Sequence, residues 1–335
     1  MVKKILPHPN IINMKRKKSI LLTGVMGHIG FAISLYLSKN KFKVVGIYNK
    51  SFDRYKIQLL KKHNVILIKN DLTNEILIKK IIKKYKIKNC IYCSAVAHDS
   101  IAKKNIDKTI KVNCLSLNIF LQLQKKKLFD KLINISTGSV FQNIKSSKDK
   151  INELTQPTPN SIYAVTKRLG EVLINSNFKS NLQKTCSLRV SWVYGPPLLT
   201  KFVTPQRGPL PYLVNKLFCE NKNKIIFKSG GDFTASFTYI DDVCMAIHKM
   251  IKLKKFAQSI YHLGSGKNYS NFTVAKILNK NFPNKRVKFG KGFSPWSNDS
   301  VVRGPLITKY NYSFLKTKFD LKTGLLKFIN FAKGH

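Results

Sequence analysis

From Ser19 to about Ser191, short β-branched runs alternate with longer stretches whose apolar residues recur at helical spacing. Residues 20–22, 43–48, 65–68, 89–93, 132–136 and 187–190 read as strands, and 29–38, 76–84, 108–124 and 163–175 as helices. Strands that alternate with helices predict right-handed crossovers and a parallel sheet covered on both faces. Past Gly195-Pro196-Pro197 the pattern turns irregular, broken by Pro205, Pro209 and Pro211, and residues 237–266 read as a return to the sheet. The expected architecture is therefore α/β, a doubly wound parallel sheet of Rossmann type with a smaller C-terminal domain. A basic tail would occupy 1–18, the sheet domain 19–195 with 237–266, and the smaller domain 196–236 with 267–335.

Composition narrows the class. With 335 residues and 43% hydrophobic content, the chain can bury a sizeable core. No apolar run approaches the ~18 residues of a membrane span, and the basic start lacks the ~7–15-residue apolar stretch of a secretory signal. A soluble cytoplasmic protein with no membrane partner is expected. The net charge of +46 admits two readings. Nucleic-acid binding would need basic surface. Biased composition explains it better, because 54 of the 61 basic residues are lysine and they spread along the whole chain. No nucleic-acid partner is expected, although the field would draw in anionic ligands. Cys90 and Cys93 lie in a strand, where positions three apart face opposite ways, which suits buried thiols better than a redox pair. The seven histidines show no ligand spacing, so no metal site is expected.

The sharpest local signal is Thr23-Gly24-Val25-Met26-Gly27-His28-Ile29-Gly30, in which a strand runs into Gly-x-x-Gly-x-x-Gly and opens a helix. Gly24 permits a tight turn, Gly27 lets backbone approach a pyrophosphate, and Gly30 allows close helix packing. Around it Met26, His28 and Ile29 become dinucleotide contacts, because the helix start supplies amides and a positive dipole end. Folds that prefer NAD usually end the second strand with an acid. Here the strand ends Tyr48-Asn49-Lys50, with Arg54 nearby. Lys50 or Arg54 could meet a 2′-phosphate, so the sequence leans to NADP(H); alternatively Asn49 holds the ribose hydroxyl and the cations are solvated. Asp71, with Leu72, follows the third strand and could bind the adenine amino group.

Tyr163 and Lys167 form Tyr-x-x-x-Lys at the start of a helix, stacked on one face by their spacing of four. An ammonium beside a phenol favours the phenolate, and the pair could move a proton while a nicotinamide carries the hydride. Ser136-Thr137-Gly138-Ser139, at the preceding strand end, offers a hydroxyl beside the reacting oxygen.

With these parts on the page, the chain resembles the extended short-chain dehydrogenase/reductase family, the NAD-dependent epimerases and dehydratases of nucleotide sugars. The resemblance runs from about Ile20 to the C-terminus, with the motifs in the family's order. After the glycine turn come Val112-Asn113, the Ser/Thr strand end, Tyr163 to Lys167 with Gly170-Glu171, and Leu188-Arg189-Val190-Ser191-Trp192-Val193-Tyr194-Gly195-Pro196. Arg207-Gly208-Pro209, Phe237 to Val243 and His262-Leu263-Gly264-Ser265-Gly266 follow.

The resemblance implies roles. Tyr163 is the catalytic acid/base, Lys167 holds the nicotinamide ribose while lowering the tyrosine pKa, and Thr137 takes the Ser/Thr place. Ala95 and Ala97 lie along the cofactor, and Asn113 supports the site or merely packs its helix. His98 approaches cofactor and substrate or sits in an exposed loop. Arg207 and Arg303 bind a nucleotide diphosphate or lie on the surface. Gly138 and Ser139 stand where dehydratases carry an acid pair, which argues against elimination. The leading expectation is an epimerase that oxidises a nucleotide-linked sugar transiently to a keto sugar. A one-way NADPH-dependent 4-keto sugar reductase is the alternative suggested by Ser191 to Tyr194, and a non-catalytic nucleotide-binding protein is the alternative of another class. A homodimer joined through helices of the sheet domain is implied too.

Overall fold

The structure is a computed structural model that describes residues 18–49, 53–144, 149–179, 182–197, 208–296 and 304–334. Its first half alternates strand and helix: β1 (Ser19–Thr23), α1 (His28–Lys39), β2 (Lys43–Tyr48), α2 (Arg54–Lys62), β3 (Ile66–Lys69) and α3 (Glu75–Lys84). Next come β4 (Asn89–Tyr92), α4 (Asp99–Lys104), α5 (Ile106–Ile110), a π-helical turn at Lys111–Leu115 and α6 (Ser116–Lys125). Then β5 (Lys131–Thr137) leads through a short 3-10 turn to α7 (Ile162–Ser176), β6 (Thr185–Val190) and β7 (Val193–Tyr194). The second half carries α8 (Pro209–Val214), β8 (Lys224–Phe227), β9 (Thr234–Ala235), β10 (Thr238–Tyr239), α9 (Ile240–Met250) and β11 (Ile260–Leu263). It ends with β12 (Tyr269–Ser270), α10 (Asn271–Asn281), β13 (Arg286–Phe289) and α11 (Leu321–Lys333).

Seven strands form one parallel sheet in the order β3-β2-β1-β4-β5-β6-β11. The chain fills one side of β1 first and crosses to the other at β4, so a topological switch lies between those two strands. In open α/β sheets a ligand crevice forms outside the carboxyl ends at that point. Burial explains why the strands stand in the interior. Residues 19–23 of β1 are buried throughout, and alternate positions feed two cores on opposite faces. Ile20, Leu22, Val44, Ile91 and Ile133 join one core, whereas Leu21, Val45, Cys90 and Leu132 join the other. Near-continuous apolar runs are what a sheet covered on both faces requires. Cys93 packs against the first core and Cys90 belongs to the second, as the two-residue period demands. Residues 260–263 return to the sheet through the pairing of Ile260 with Ser187. Outside it, three two-stranded pairs (β7 with β10, β8 with β13, β9 with β12) organise the second half.

Two of the departures from the expected elements lie in the sheet domain beside the crevice. Helix α2 was not legible, because Leu60 is its one buried residue and leaves no apolar stripe at helical spacing. The stretch expected as one helix over 108–124 is α5 and α6 joined by the π turn, which carries Asn113. Single π turns inside helices frequently mark functional positions.

Candidate functional site

The glycine turn at the end of β1 is shaped by contacts that exclude side chains. Gly24 takes φ +73°, and a Cβ there would stand 3.0 Å from the carbonyl oxygen of Cys93 at the neighbouring strand end. A Cβ on Gly30 would meet the Gly24 carbonyl oxygen at 2.3 Å. Backbone bonds lock the turn: Gly24 N–H donates to Ile47 O at 2.9 Å and Gly27 N–H to Gly24 O at 3.0 Å. Helix α1 starts with Gly27 as a cap that offers no side-chain bond, and its first turn holds no acid. This is a cradle for an anion: backbone approaches closely, helix amides lack a side-chain cap, and the dipole end is positive. The residues present fit a dinucleotide pyrophosphate.

Around the cradle, the ring of His28 is 2.9 Å from the Gly195 carbonyl oxygen, tying the turn to the segment after β7. The Thr23 hydroxyl accepts the Cys93 and Ser94 N–H groups, which fixes the β4 end beside β1. At the end of β2 the Asn49 amide donates to Asp71 at 3.5 Å. Asp71 is held below the usual carboxylate range chiefly by the Thr73 backbone and hydroxyl bonds. Arg54 opens α2 with its side chain exposed. Lys56, which the sequence did not single out, reaches the glycine turn and donates to Met26 O at 3.0 Å.

The second group of residues meets at the carboxyl end of β5. Thr137 closes that strand opposite Val190 of β6. Its hydroxyl accepts the Ser139 N–H at 3.1 Å. Tyr163 projects from the first turn of α7, which Ser161 caps by accepting the Ala164 N–H at 3.3 Å. Burial pushes the Tyr163 phenol up to about 12, a hydrogen bond with Thr137 opposes this, and the charges of Asp99 and Cys93 add to it. Lys167, one turn on and buried, donates to Ile135 O at 2.6 Å. Burial pulls its ammonium below the usual range, against Cys93, Glu171 and Cys114. Burial is the largest influence on the Tyr163 phenol here, and the Lys167 ammonium is turned to the carbonyl of β5. Asn113 spans two elements: it accepts the Val96 N–H at 2.8 Å and donates to the Thr166 hydroxyl at 2.9 Å. That pins the half-buried loop of Ala95 and Ala97 to α7.

Beneath Tyr163 and Lys167 lies an ion pair that the motif order contained but to which no role was given. Glu171 and Arg189 are 0% and 1% exposed. Their side chains pair bidentately at 2.7 and 2.7 Å. The Ser136 hydroxyl donates to the same carboxylate at 2.6 Å. Arg189 also lies 3.0 Å from His262 Nε2, while His262 Nδ1 faces the Ile307 carbonyl oxygen at 3.0 Å. A carbonyl can only accept, so Nδ1 carries the proton and Nε2 accepts from Arg189.

The structure thus gathers Gly24, Met26, Gly27, His28, Ile29 and Gly30 at one end of the switch crevice, and Thr137, Tyr163 and Lys167 at the other. Asn49, Asp71 and Leu72 flank the first group across β2 and β3. His98 sits in the loop after β4 with φ +74°. Lys50, Arg207 and Arg303 lie outside the described residues. A further polar set went unread in the sequence: Asp99 accepts from Ser161 and Gln142, and its residues are 62 and 43 positions apart.

Comparison with known proteins adds the family and the fold. Residues 20–264 match the model of the NAD dependent epimerase/dehydratase family. A relative of unassigned role from Methanocaldococcus jannaschii is 28% identical over 93% of this chain and 95% of its own. A UDP-glucuronate 4-epimerase from Thermodesulfobacterium geofontis is 29% identical over 74% of this chain and 75% of its own. Among solved structures, a UDP-glucose 4-epimerase from Thermotoga maritima, determined with UDP-glucose, superposes with a TM-score of 0.77. It is 20% identical, covering 94% of this chain and 99% of that one, a likeness of fold.

Proposed function

The chain belongs to the NAD dependent epimerase/dehydratase family, and from that premise we propose that it is an NAD-dependent epimerase of a nucleotide-linked sugar. One observation carries the reading: Thr137, Tyr163 and Lys167 share one sheet edge with the glycine cradle. When bound, the nicotinamide supplies reversible hydride transfer. The chain's own residues do the rest. Tyr163 takes the proton of a sugar hydroxyl and later returns it, within hydrogen-bonding reach of Thr137. A phenol desolvated to about 12 is a poor base by itself. The proposal therefore requires the ternary complex to bring the cationic charge of the cofactor ring and Lys167 to bear on it. Gly138 and Ser139 offer no acid for elimination, which favours epimerisation over dehydration.

The cofactor form is part of the proposal. The sequence leaned to NADP(H) because of Lys50 and Arg54. The Asn49–Asp71 contact favours NAD instead, because it sets a carboxylate beside the amide that would face the ribose, and a 2′-phosphate would meet like charge there. The homodimer is also proposed. Val165, Leu169 and Val172 form an exposed apolar stripe on α7, and Ile106, Ile110 and Leu115 a second one on α5 and the turn after it. Two such stripes are self-complementary in a two-fold pair. Leu169→Asp should then yield a monomer in light scattering; an unchanged mass would remove this face from the assembly.

The test of the main reading is Tyr163→Phe. Turnover of nucleotide sugars should fall by about 1,000-fold, within the range for loss of a general acid/base. NAD binding, followed by titration calorimetry, should change less than about twofold. Normal turnover would overturn the assignment, and stoichiometric consumption of NADPH would replace the epimerase with a one-way reductase.

A further inference from the structure

Three loops converge on one carboxylate at the tyrosine end of the crevice. Asp99 follows His98, whose left-handed φ of +74° turns the chain into α4. One Asp99 oxygen accepts the Ser161 hydroxyl at 2.5 Å and the other accepts the Gln142 amide at 3.1 Å. Gln142 in turn accepts the Asn160 N–H at 3.0 Å. The loops after β4 and β5 and the segment before α7 are so joined two residues before Tyr163. Both donors are uncharged, and Asp99 forms no ion pair with a described residue. Its side chain is exposed. A carboxylate offers about four acceptor positions, and among the described residues two of them are filled. Its charge is felt at the reacting phenol, where it works with burial to hold the proton on.

We propose that Asp99 sets the sugar class, selecting a neutral nucleotide hexose and rejecting a nucleotide uronate. This rests on the nucleotide-sugar reading above. A neutral hexose can donate hydroxyl protons to the open lone pairs of Asp99, whereas a uronate would bring a second carboxylate toward an anion that pairs with no cation among the described residues. Like charge set against a partner is the repulsive half of specificity. The inference separates this chain from the glucuronate epimerase it resembles at 29% identity.

The alternative is that Asp99 only staples the loops. Asp99→Asn distinguishes the two, since the amide oxygen still accepts from Ser161 while the charge is gone. The matched probes are UDP-glucose and UDP-glucuronate, which share the nucleotide and differ at C6. For wild type, kcat/KM should favour UDP-glucose by at least about tenfold, equivalent to about 1.4 kcal/mol. In Asp99→Asn that ratio should shrink at least about fivefold through a gain for the uronate. A staple alone would lower both substrates together and leave the ratio unchanged, which would overturn the inference, as would a wild-type preference for the uronate. Calorimetry with both nucleotides separates the two levels. Equal binding of both sinks the selectivity, whereas binding of neither removes the nucleotide-sugar reading and the inference with it.

Discussion

The two ends of the crevice are held in place by different means. At the β1 end the shape comes from backbone and from missing side chains: Gly24 in a left-handed turn and Gly30 against a carbonyl oxygen. At the β5 end the shape comes from side chains, with Tyr163 and Lys167 standing on the buried Glu171–Arg189 pair. A backbone cradle suits a ligand common to many enzymes, because it reads phosphate and geometry. A side-chain lattice can differ from chain to chain at Asp99 or Ser139, and so can carry chemistry and selectivity.

The largest expected effect breaks the side-chain end. Glu171→Ala would leave the Arg189 guanidinium buried without its partner, and removing one member of a buried pair costs about 3–5 kcal/mol. Urea unfolding followed by circular dichroism measures it. A loss under about 1 kcal/mol would mean that α7 is held without the ion pair, and the contrast between the two ends would weaken. The next effect breaks the backbone end. Gly30→Ala sets a methyl group where 2.3 Å is available to the Gly24 carbonyl. NAD affinity should fall by about 100-fold, near 3 kcal/mol, with global stability reduced less than in Glu171→Ala. Unchanged affinity would show that the cradle can spread to admit a side chain.

How far the sequence revealed each end follows from the separation of the partners. The cradle occupies seven consecutive residues from Gly24 to Gly30, and the Tyr163–Lys167 pair spans four, so local spacing exposes both. The end of a strand offered a hydroxyl, and the family resemblance singled out Thr137 there. The lattice beneath was present in the motifs as Gly170-Glu171, Leu188-Arg189 and His262, but its members are 18 and 73 residues apart, and no local period predicts which of them touch. The Asp99 junction is more hidden still, since serine, glutamine and aspartate in loops ordinarily read as solvated surface. The π turn at Asn113 was invisible for another reason: one extra residue per turn leaves the apolar pattern of a helix almost unchanged. The lean toward NADP(H) came from the missing acid at the end of β2, with Lys50 and Arg54 nearby, and the contact of Asn49 with Asp71 is what the proposal of NAD adds to it. Asp71 stands just past the end of β3, within reach of Asn49, and strand adjacency cannot be read from a gap of 22 residues.

A pH experiment sharpens the contrast without altering the cradle. Burial, helped by the Arg189 charge, pulls His262 down to about 3 against its bonds to Ile307 and Ile151. The unfolded chain would bind this proton near pH 6.5 while the folded chain would not. Between those values the unfolded state holds more protons, so stability rises with pH and is lost on acidification. From pH 6.5 to 5 the wild type should lose about 2 kcal/mol through this group, at about 1.4 kcal/mol per pH unit. His262→Gln should flatten that part of the profile, and an identical slope in both proteins would show that other groups set the acid limit.

The smallest effect concerns Ser161, which serves both structure and the proposed selectivity. Its oxygen accepts the Ala164 N–H to cap α7, and its hydroxyl donates to Asp99. Ser161→Ala removes both bonds and should cost about 1 kcal/mol, the usual value of a helix cap. Ser161→Asp separates the two jobs. An aspartate caps a helix as well as serine does and favours its positive end. It cannot donate to Asp99, and it places a second anion beside it. Thermal unfolding should therefore return close to wild type in Ser161→Asp, while discrimination against UDP-glucuronate should increase beyond the wild-type ratio. Were the ratio instead to fall alike in both variants, the hydrogen bond to Ser161, and not the charge on Asp99, would be what tunes the tyrosine end of the crevice.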